Sequence, residues 1–398
     1  MEAGSRPPPS TPSFGRGFLL LCRRNVIRQQ PILGLERKVL MDTMKILKPF
    51  DAHVHLRDGE LLRAVVPFTA RQCWGAIAEP NLKPPITTRA QARSYADRIT
   101  AAAGPDFVPF VLAYFTDTLD PQEFVDGLTE GDFFGVKFYP RGATTNSENG
   151  IEDVSLLWTR GTRQFDIIEA TKTTRGVVQL HGEANFTKGG EELDPYDKET
   201  YFYTEIMPRL QDAHPQVKFS GEHITTSEAA AYARKNGGEY FGVSVTAHHL
   251  LIDRRDVYRG GYHPHSFCLP VVKRVRHTEA LHELLYGDHS FVWAGSDSAP
   301  HDWKNKESEC CSGGVFSAPA MVELYAQAAE NIGLQKLALE RFLSRNAPAF
   351  YTLTPPQEYI TLEKTLWDFL GHIEYGDSPT DYVRYWDYPE LKWRMKYD

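Results

Sequence analysis

Asp51-Ala52-His53-Val54-His55-Leu56-Arg57 is the stretch on which the reading of this chain turns. It follows Met44-Lys45-Ile46-Leu47-Lys48-Pro49-Phe50, an apolar run that predicts the start of a buried strand. Successive side chains of a strand alternate faces, so His53 and His55 point the same way, roughly 7 Å apart along the backbone. Two imidazoles on one face can converge on one metal ion, each about 2.0–2.1 Å from a zinc. Alone the pattern is weak, because two polar residues at a strand end are commonplace. Its weight comes from where the other metal-capable residues fall.

From Met44 onward a short apolar run, a polar turn and a helical pattern repeat. The apolar runs are Ile46–His53, Gly75–Pro80, Phe107–Phe115, Phe133–Tyr139, Gly176–His181, Val217–His223, Phe241–Ala247 and Phe291–Ser296. Between them the spacing predicts helices over Thr88–Ala103, Pro121–Thr129, Val154–Thr171, Thr200–Ala213, Ser227–Lys235 and Pro270–Leu285. Strands alternating with helices imply parallel pairing through right-handed crossovers. Eight such units over about 250 residues match a closed (β/α)8 TIM-type barrel better than an open doubly wound sheet. The expected organisation is an N-terminal extension over 1–43, a barrel over 44–353 and an aromatic-rich tail over 354–398 that packs on the barrel or forms a subunit contact.

Composition narrows the functional classes. A net charge of −8 gives no global basic field for nucleic acid. The five cysteines are too few and scattered for a disulfide framework, which points to a reducing compartment. No apolar run approaches the ~18–20 residues of a membrane span. Residues 1–43 are rich in Arg, poor in acidic residues and carry Pro7-Pro8-Pro9. They suit an organelle transit peptide, a disordered tail or an extension upstream of the true start. The expected location is therefore cytoplasmic, or mitochondrial or plastid if that segment is a transit peptide.

The metal-capable residues gather at strand ends. His53 and His55 end the first strand, Lys137 the fourth, His181 the fifth, His223 the sixth and Asp297 the eighth. In a barrel of this kind the C-terminal strand ends form the catalytic face. Each residue alone has an ordinary explanation, a hydrogen-bonded histidine or an ion-paired lysine. Together they predict a metal site, with Asp297 as the only carboxylate at a strand end beside it. Four histidines, a lysine and an aspartate suit two metals about 3.5–4 Å apart with a bridging hydroxide. An ammonium cannot ligate, but a lysine that adds CO2 becomes a carbamate with one oxygen for each metal.

This set resembles the amidohydrolase superfamily, and more narrowly the single-function, bacterial-type (class II) dihydroorotases, from about Met44 to Leu353. The supporting stretches are Asp51-Ala52-His53-Val54-His55-Leu56-Arg57-Asp58, Glu79-Pro80-Asn81-Leu82, Lys137-Phe138-Tyr139-Pro140, Ala143-Thr144-Thr145-Asn146-Ser147, Glu222-His223-Ile224-Thr225-Thr226, Cys268-Leu269-Pro270 and Asp297-Ser298-Ala299-Pro300-His301. The resemblance implies reversible cyclisation of N-carbamoyl-L-aspartate to L-dihydroorotate in pyrimidine synthesis, two zinc ions and a homodimer. One metal would take His53, His55, Lys137 as N6-carboxylysine, and Asp297. The other would take Lys137, His181 and His223. Arg57, Asn81 and His301 match positions that hold the substrate carboxylate, and His181 also faces substrate. Leu269, through its backbone, and Gly313 fall where the family contacts the pyrimidine ring. Pro140–Ile151 matches a mobile lid whose Thr144 and Thr145 close on substrate.

Three departures stand out. Gly313 replaces an expected alanine, Arg141-Gly142 replaces a small residue plus Asn, and Thr246-Ala247-His248-His249 replaces Thr-Pro-Gln-His. The expected chemistry is attack of hydroxide on the ring amide, with Asp297 as general base and then acid. The rivals are another cyclic amidase, such as a hydantoinase, dihydropyrimidinase or allantoinase, which lacks the clamp at Arg57 and Asn81, and a barrel kept as a scaffold without chemistry.

Overall fold

Eight strands pair in chain order because a helical crossover separates each from the next. They are β2 (Phe50–Val54), β3 (Gly75–Ala78), β4 (Val108–Tyr114), β5 (Gly135–Phe138), β6 (Val177–His181), β7 (Phe219–Glu222), β8 (Phe241–Val245) and β9 (Val292–Ala294), all parallel. The computed structural model describes residues 43–396 except Arg175, Leu366, Asp368, Leu370, Asp387, Pro389 and Glu390. Every residue of β2, β3, β5, β6, β7, β8 and β9 is buried, which is why these strands read as continuous apolar runs rather than alternating ones.

The seam between β9 and β2 is closed by the loop that carries Asp297. The Asp297 N–H donates to His53 O at 2.9 Å and the His55 N–H to Ser298 O at 3.1 Å. Beneath them the Asp51 carboxylate accepts from the Ser296 N–H at 2.8 Å and the Ser296 hydroxyl at 2.6 Å. Burial lifts the Asp51 carboxyl to about 6 even though these bonds favour its charge.

The helices start where capping residues stand. Helix α1 (Gly59–Gln72) begins behind Asp58, and α2 (Arg89–Ala103) behind a Thr88/Gln91 capping box. Helix α3 (Pro121–Glu130) starts with Asp120 as cap and Pro at its first turn. The stretch expected as one helix over 200–213 instead holds a π turn, Phe202–Ile206, before Met207–Ala213. Pro208 lacks the N–H that a regular helix would need there.

The first expected strand divides in two. Strand β1 (Thr43–Leu47) leaves the barrel and pairs antiparallel with β10 (Tyr359–Lys364), which pairs with β13 (Trp393–Lys396). Pro49, without an N–H, falls between β1 and β2. β1 is covered on one face, with alternating burial, whereas β2 is buried throughout. A short hairpin, β11 (His372–Glu374) and β12 (Tyr382–Arg384), completes the tail. Its aromatics have partners: Trp386 is 2% exposed and donates to Ser266 Oγ at 3.2 Å, and Trp303 stacks on Tyr382.

Among the described residues no helix is long and apolar enough to cross a membrane. Cys73, Cys268, Cys310 and Cys311 are free thiols. The targeting segment considered above lies, but for its last residue, outside the described residues.

Candidate active site

His53 is the hub. It is the fourth residue of β2 and 1% exposed, and its ring centroid lies 5.4 Å from that of His55 and 4.9 Å from that of His223. The His181 ring, at the end of β6, lies 4.9 Å from that of His223. Asp297 Oδ1 sits 3.4 Å from His53 Nε2 and 3.2 Å from His55 Nε2. Lys137 is fully buried, with Nζ 3.3 Å from His53 Nδ1. The six ligand-type residues of the sequence thus converge at one end of the barrel.

Electrostatics suit a cation at this place. Burial opposes charge on Asp297, yet the imidazoles of His53 and His55 hold its carboxyl well below the usual range. Burial drives His223 well below the ordinary imidazole value and also lowers His55, so both rings stay neutral with lone pairs to offer. His53 differs. Burial alone would lower it, but Glu79, Asp297 and Glu222 outweigh that and lift it to about 9. His53 Nε2 and His223 Nδ1 are buried without a hydrogen-bond partner among the described residues. The lone pair of His223, and that of His53 once a cation displaces its proton, form with the anionic Asp297 a donor set that a divalent cation satisfies.

Asp297 is not the only carboxylate beside the site. Glu79, just beyond β3, approaches His53 Nδ1 at 3.2 Å and Lys137 Nζ at 3.3 Å, and accepts from Tyr139 OH at 2.8 Å. Glu222, ending β7, lies 3.1 Å from His53 Nδ1, and Glu183 lies 2.7 Å from His181 Nε2. Each orients an imidazole from outside the ligand set. The signal was present in the sequence, since Glu79 and Glu222 stand at strand ends in two of the quoted stretches.

The cavity above is lined by His55, Arg57, Asn81, Tyr139, Thr144, Thr145, His181, His223, Leu269, Asp297 and Gly313, among others. Asn81 Oδ1 lies 2.9 Å from His55 Nδ1, and its amide donates to Thr145 O at 3.1 Å. Arg57 reaches the cavity by an unexpected route. The strand ends at Val54, and Arg57 turns inward from a left-handed backbone, φ 59°. Its Nε donates to Pro300 O at 2.8 Å, and Nη2 lies 2.9 Å from His301 Nε2. Gly313 O lies 3.0 Å from that same His301 nitrogen. His301 is held well below the usual imidazole value by burial and by Arg57, so it is neutral. Among the described residues neither partner given for the Arg57 guanidinium is charged.

Two departures in sequence have local reasons. A Cβ on Gly313 would come within 2.9–3.0 Å of the Leu269 side chain, so the glycine makes room for that leucine. Arg141 anchors the base of the 140–151 segment, with ion pairs of 2.7 Å to Asp117 and 2.6 Å to Glu152. Over the cavity this segment is held by Thr145 Oγ1 to Gly313 O at 3.4 Å and by Asn146 Nδ2 to Asn81 O at 3.2 Å.

No family model matches the chain. Among curated relatives, the chain is 38% identical to a dihydroorotase of Erwinia tasmaniensis over 88% of its own length and 97% of the relative's. Among solved structures, a dihydroorotase of Campylobacter jejuni superposes with a TM-score of 0.78 at 31% identity, covering 90% of this chain and 98% of that one. A Saccharomyces cerevisiae dihydroorotase in complex with 5-fluoroorotic acid superposes with a TM-score of 0.79 at 26% identity, covering 89% and 98%.

Proposed function

The chain belongs to the dihydroorotase family, and from that premise we propose how the residues of this cavity share the work. The reaction is the reversible closure of N-carbamoyl-L-aspartate to L-dihydroorotate and water, a step of pyrimidine biosynthesis. The family is metal-dependent. For this chain His53, His55 and Asp297 would hold one zinc ion and His181 and His223 a second, with Lys137, as a carbamate, supplying further oxygen ligands. When bound, the cations lower the pKa of water towards neutrality and polarise the ring amide carbonyl.

The side chains do the rest. Arg57, with Asn81 and His301, binds the substrate α-carboxylate, and the guanidinium can do so as a two-pronged fork. Leu269 and Gly313 hold the ring through their backbones, and Thr144 and Thr145 close the opening against water. In ring opening Asp297 takes the proton of the attacking water and delivers it to the leaving ring nitrogen. In ring closure Asp297 removes the ureido proton and returns it to the departing oxygen. A homodimer belongs to the same reading and is carried by the resemblance alone; equilibrium sedimentation of the purified chain measures it.

The observation that carries this assignment is a half-buried arginine whose hydrogen-bond partners among the described residues are uncharged, opening on the same cavity as a cluster of metal-type ligands. An anionic substrate supplies the missing charge. Lys137→Ala tests the metal half. The variant should lose activity and one metal per chain, with partial rescue by short carboxylic acids. Two metals bound normally by Lys137→Ala would refute the carbamate.

A further inference from the structure

β8 runs directly into Thr246-Ala247-His248-His249, and Cys268 lies against this turn. His248, His249 and Cys268 are 0%, 2% and 1% exposed, and one ligand-type atom from each lies within 4.8 Å of the others. We propose that these three residues form a separate site for a thiophilic divalent cation, zinc above all, which shares no residue with the strand-end ligands.

The edge between Cys268 and His249 matches tetrahedral coordination. Bonds of about 2.0–2.1 Å to nitrogen and about 2.3 Å to sulfur, at a tetrahedral angle, place N and S about 3.5 Å apart. Cys268 Sγ lies 3.5 Å from His249 Nε2. The Pro270 carbonyl oxygen is 3.2 Å from that nitrogen and 3.4 Å from that sulfur, an edge of similar length, so it or a water takes the fourth corner. His249 Nδ1 is 2.7 Å from Thr246 Oγ1, the outer hydrogen bond by which a ligating imidazole is oriented and its tautomer set.

His248 separates this reading from a plain hydrogen-bonded cluster. Without a metal, His249 and the Cys268 thiol can both donate to Pro270 O and be satisfied. His248 cannot: both of its ring nitrogens are buried with no hydrogen-bond partner among the described residues, and Trp386 lies edge-on to its ring. An imidazole fully buried and unpartnered on both sides is rare unless something occupies the lone pair. His248 also stands where the resembled pattern has glutamine, a poor zinc ligand.

The charges are compatible. Burial holds His248 down to about 4 and His249 well below its ordinary value, so both rings are neutral donors at pH 7. Burial keeps Cys268 a thiol, up to about 12, until a cation replaces its proton. Binding then releases that one proton to solvent. Asp297 and Glu183 act on Cys268 as negative charges and Lys306 and Lys273 as positive ones, so the charges around the thiol are balanced in number.

Cobalt provides a test that does not depend on turnover. None of the strand-end ligands is sulfur, so a thiolate-to-cobalt charge-transfer absorption in the near ultraviolet cannot come from them. The full chain loaded with cobalt should show that absorption. His248→Gln and Cys268→Ser should each lose it and bind one fewer zinc per chain after dialysis against a weak chelator. Circular dichroism melts of both variants check folding, and either variant alone suffices. The proposal is overturned if the parent protein lacks the absorption, or if the absorption survives Cys268→Ser and so comes from another cysteine. It is also overturned if zinc content is the same in the parent and a folded variant.

Discussion

Replacing Arg57 with methionine removes the charged fork while keeping most of the apolar stem. In the resting cavity burial pulls the guanidinium down to about 10, and its partners, Pro300 O and His301, are uncharged. A substrate carboxylate would complete the pair. Losing one side of a buried charge-assisted pair costs about 2–5 kcal/mol. At 1.4 kcal/mol per tenfold, kcat/KM for dihydroorotate should fall by about 30-fold to several thousandfold, with much of the loss in KM. The substitution also strips Pro300 O of its donor, a structural cost of about 1–3 kcal/mol that a thermal melt measures separately. Dihydrouracil, the same ring without the carboxylate, is the control: a very poor substrate for the parent enzyme and nearly indifferent to the change. Initial rates on both compounds, at fixed metal content, decide the matter. Equal losses on the two substrates would make Arg57 a scaffold residue. A parent enzyme that opened dihydrouracil or hydantoin as readily as dihydroorotate would refute the carboxylate clamp.

Asp297→Asn keeps an oxygen for a metal but cannot carry a proton, so metal content should largely persist while kcat falls about 10²–10⁴-fold; activity lost only in step with metal would exclude the proton-transfer role. The Lys306 ammonium donates to Phe267 O, Ser312 O and Gly314 O at 2.7–2.9 Å, tying together the two loops that carry Leu269 and Gly313. Lys306→Met should therefore lower Tm by several degrees and raise KM more than it lowers kcat, and an unchanged KM would remove it as a positioning residue. Glu323 accepts the Met395 N–H at 3.1 Å, and burial lifts its carboxyl from 4.5 to about 7. Between those values the folded chain holds a proton that the unfolded chain has released, so its stabilisation is complete below about pH 4.5 and is lost as pH rises through about 7. At about 1.4 kcal/mol per pH unit this amounts to at most about 3.5 kcal/mol. Glu323→Gln should flatten that part of the Tm–pH curve, and parallel curves for the two proteins would assign the pH dependence elsewhere.

The barrel and the gathering of ligand-type residues at one of its ends are legible because both follow from local rules. Fully buried parallel strands leave continuous apolar runs, and chemistry on a parallel barrel gathers at one end of every strand. His181 ends β6, and Lys137 and His223 fall within a residue of the ends of β5 and β7, where those rules put them. What was not legible depended on contacts remote in sequence or on a change of backbone direction. β1 reads as the beginning of the first barrel strand, and only its partner β10, some 300 residues away, draws it off. Arg57 follows His55 by two residues, so strand alternation alone would carry it to the same face, but the strand stops at Val54 and a left-handed turn delivers the side chain instead. Glu79 and Glu222 stand at strand ends in the sequence, but a carboxylate there usually signals a solvated surface. Here both are 1% exposed and face the rings and ammonium that hold them.

Barrel closure and site assembly are one event in this chain. The backbone bonds that shut the seam, Asp297 N–H to His53 O and His55 N–H to Ser298 O, run through three of the ligand-type residues that cluster beside the cavity. Arg57, His223 and Asp297 all lie at positive φ, 59°, 41° and 43°, a conformation that costs a non-glycine residue roughly 1–3 kcal/mol. Such strain persists only where the surroundings over-determine it. At Asp297 the surroundings are the seam itself, braced from below by Asp51 and Ser296. A chain that failed to close the seam would relax Asp297 out of its left-handed turn and withdraw the carboxylate from His53 and His55 together. The position of Asp297 is therefore set by the barrel's last pairing, and Asp51, which does not line the cavity, bears on that position through Ser296.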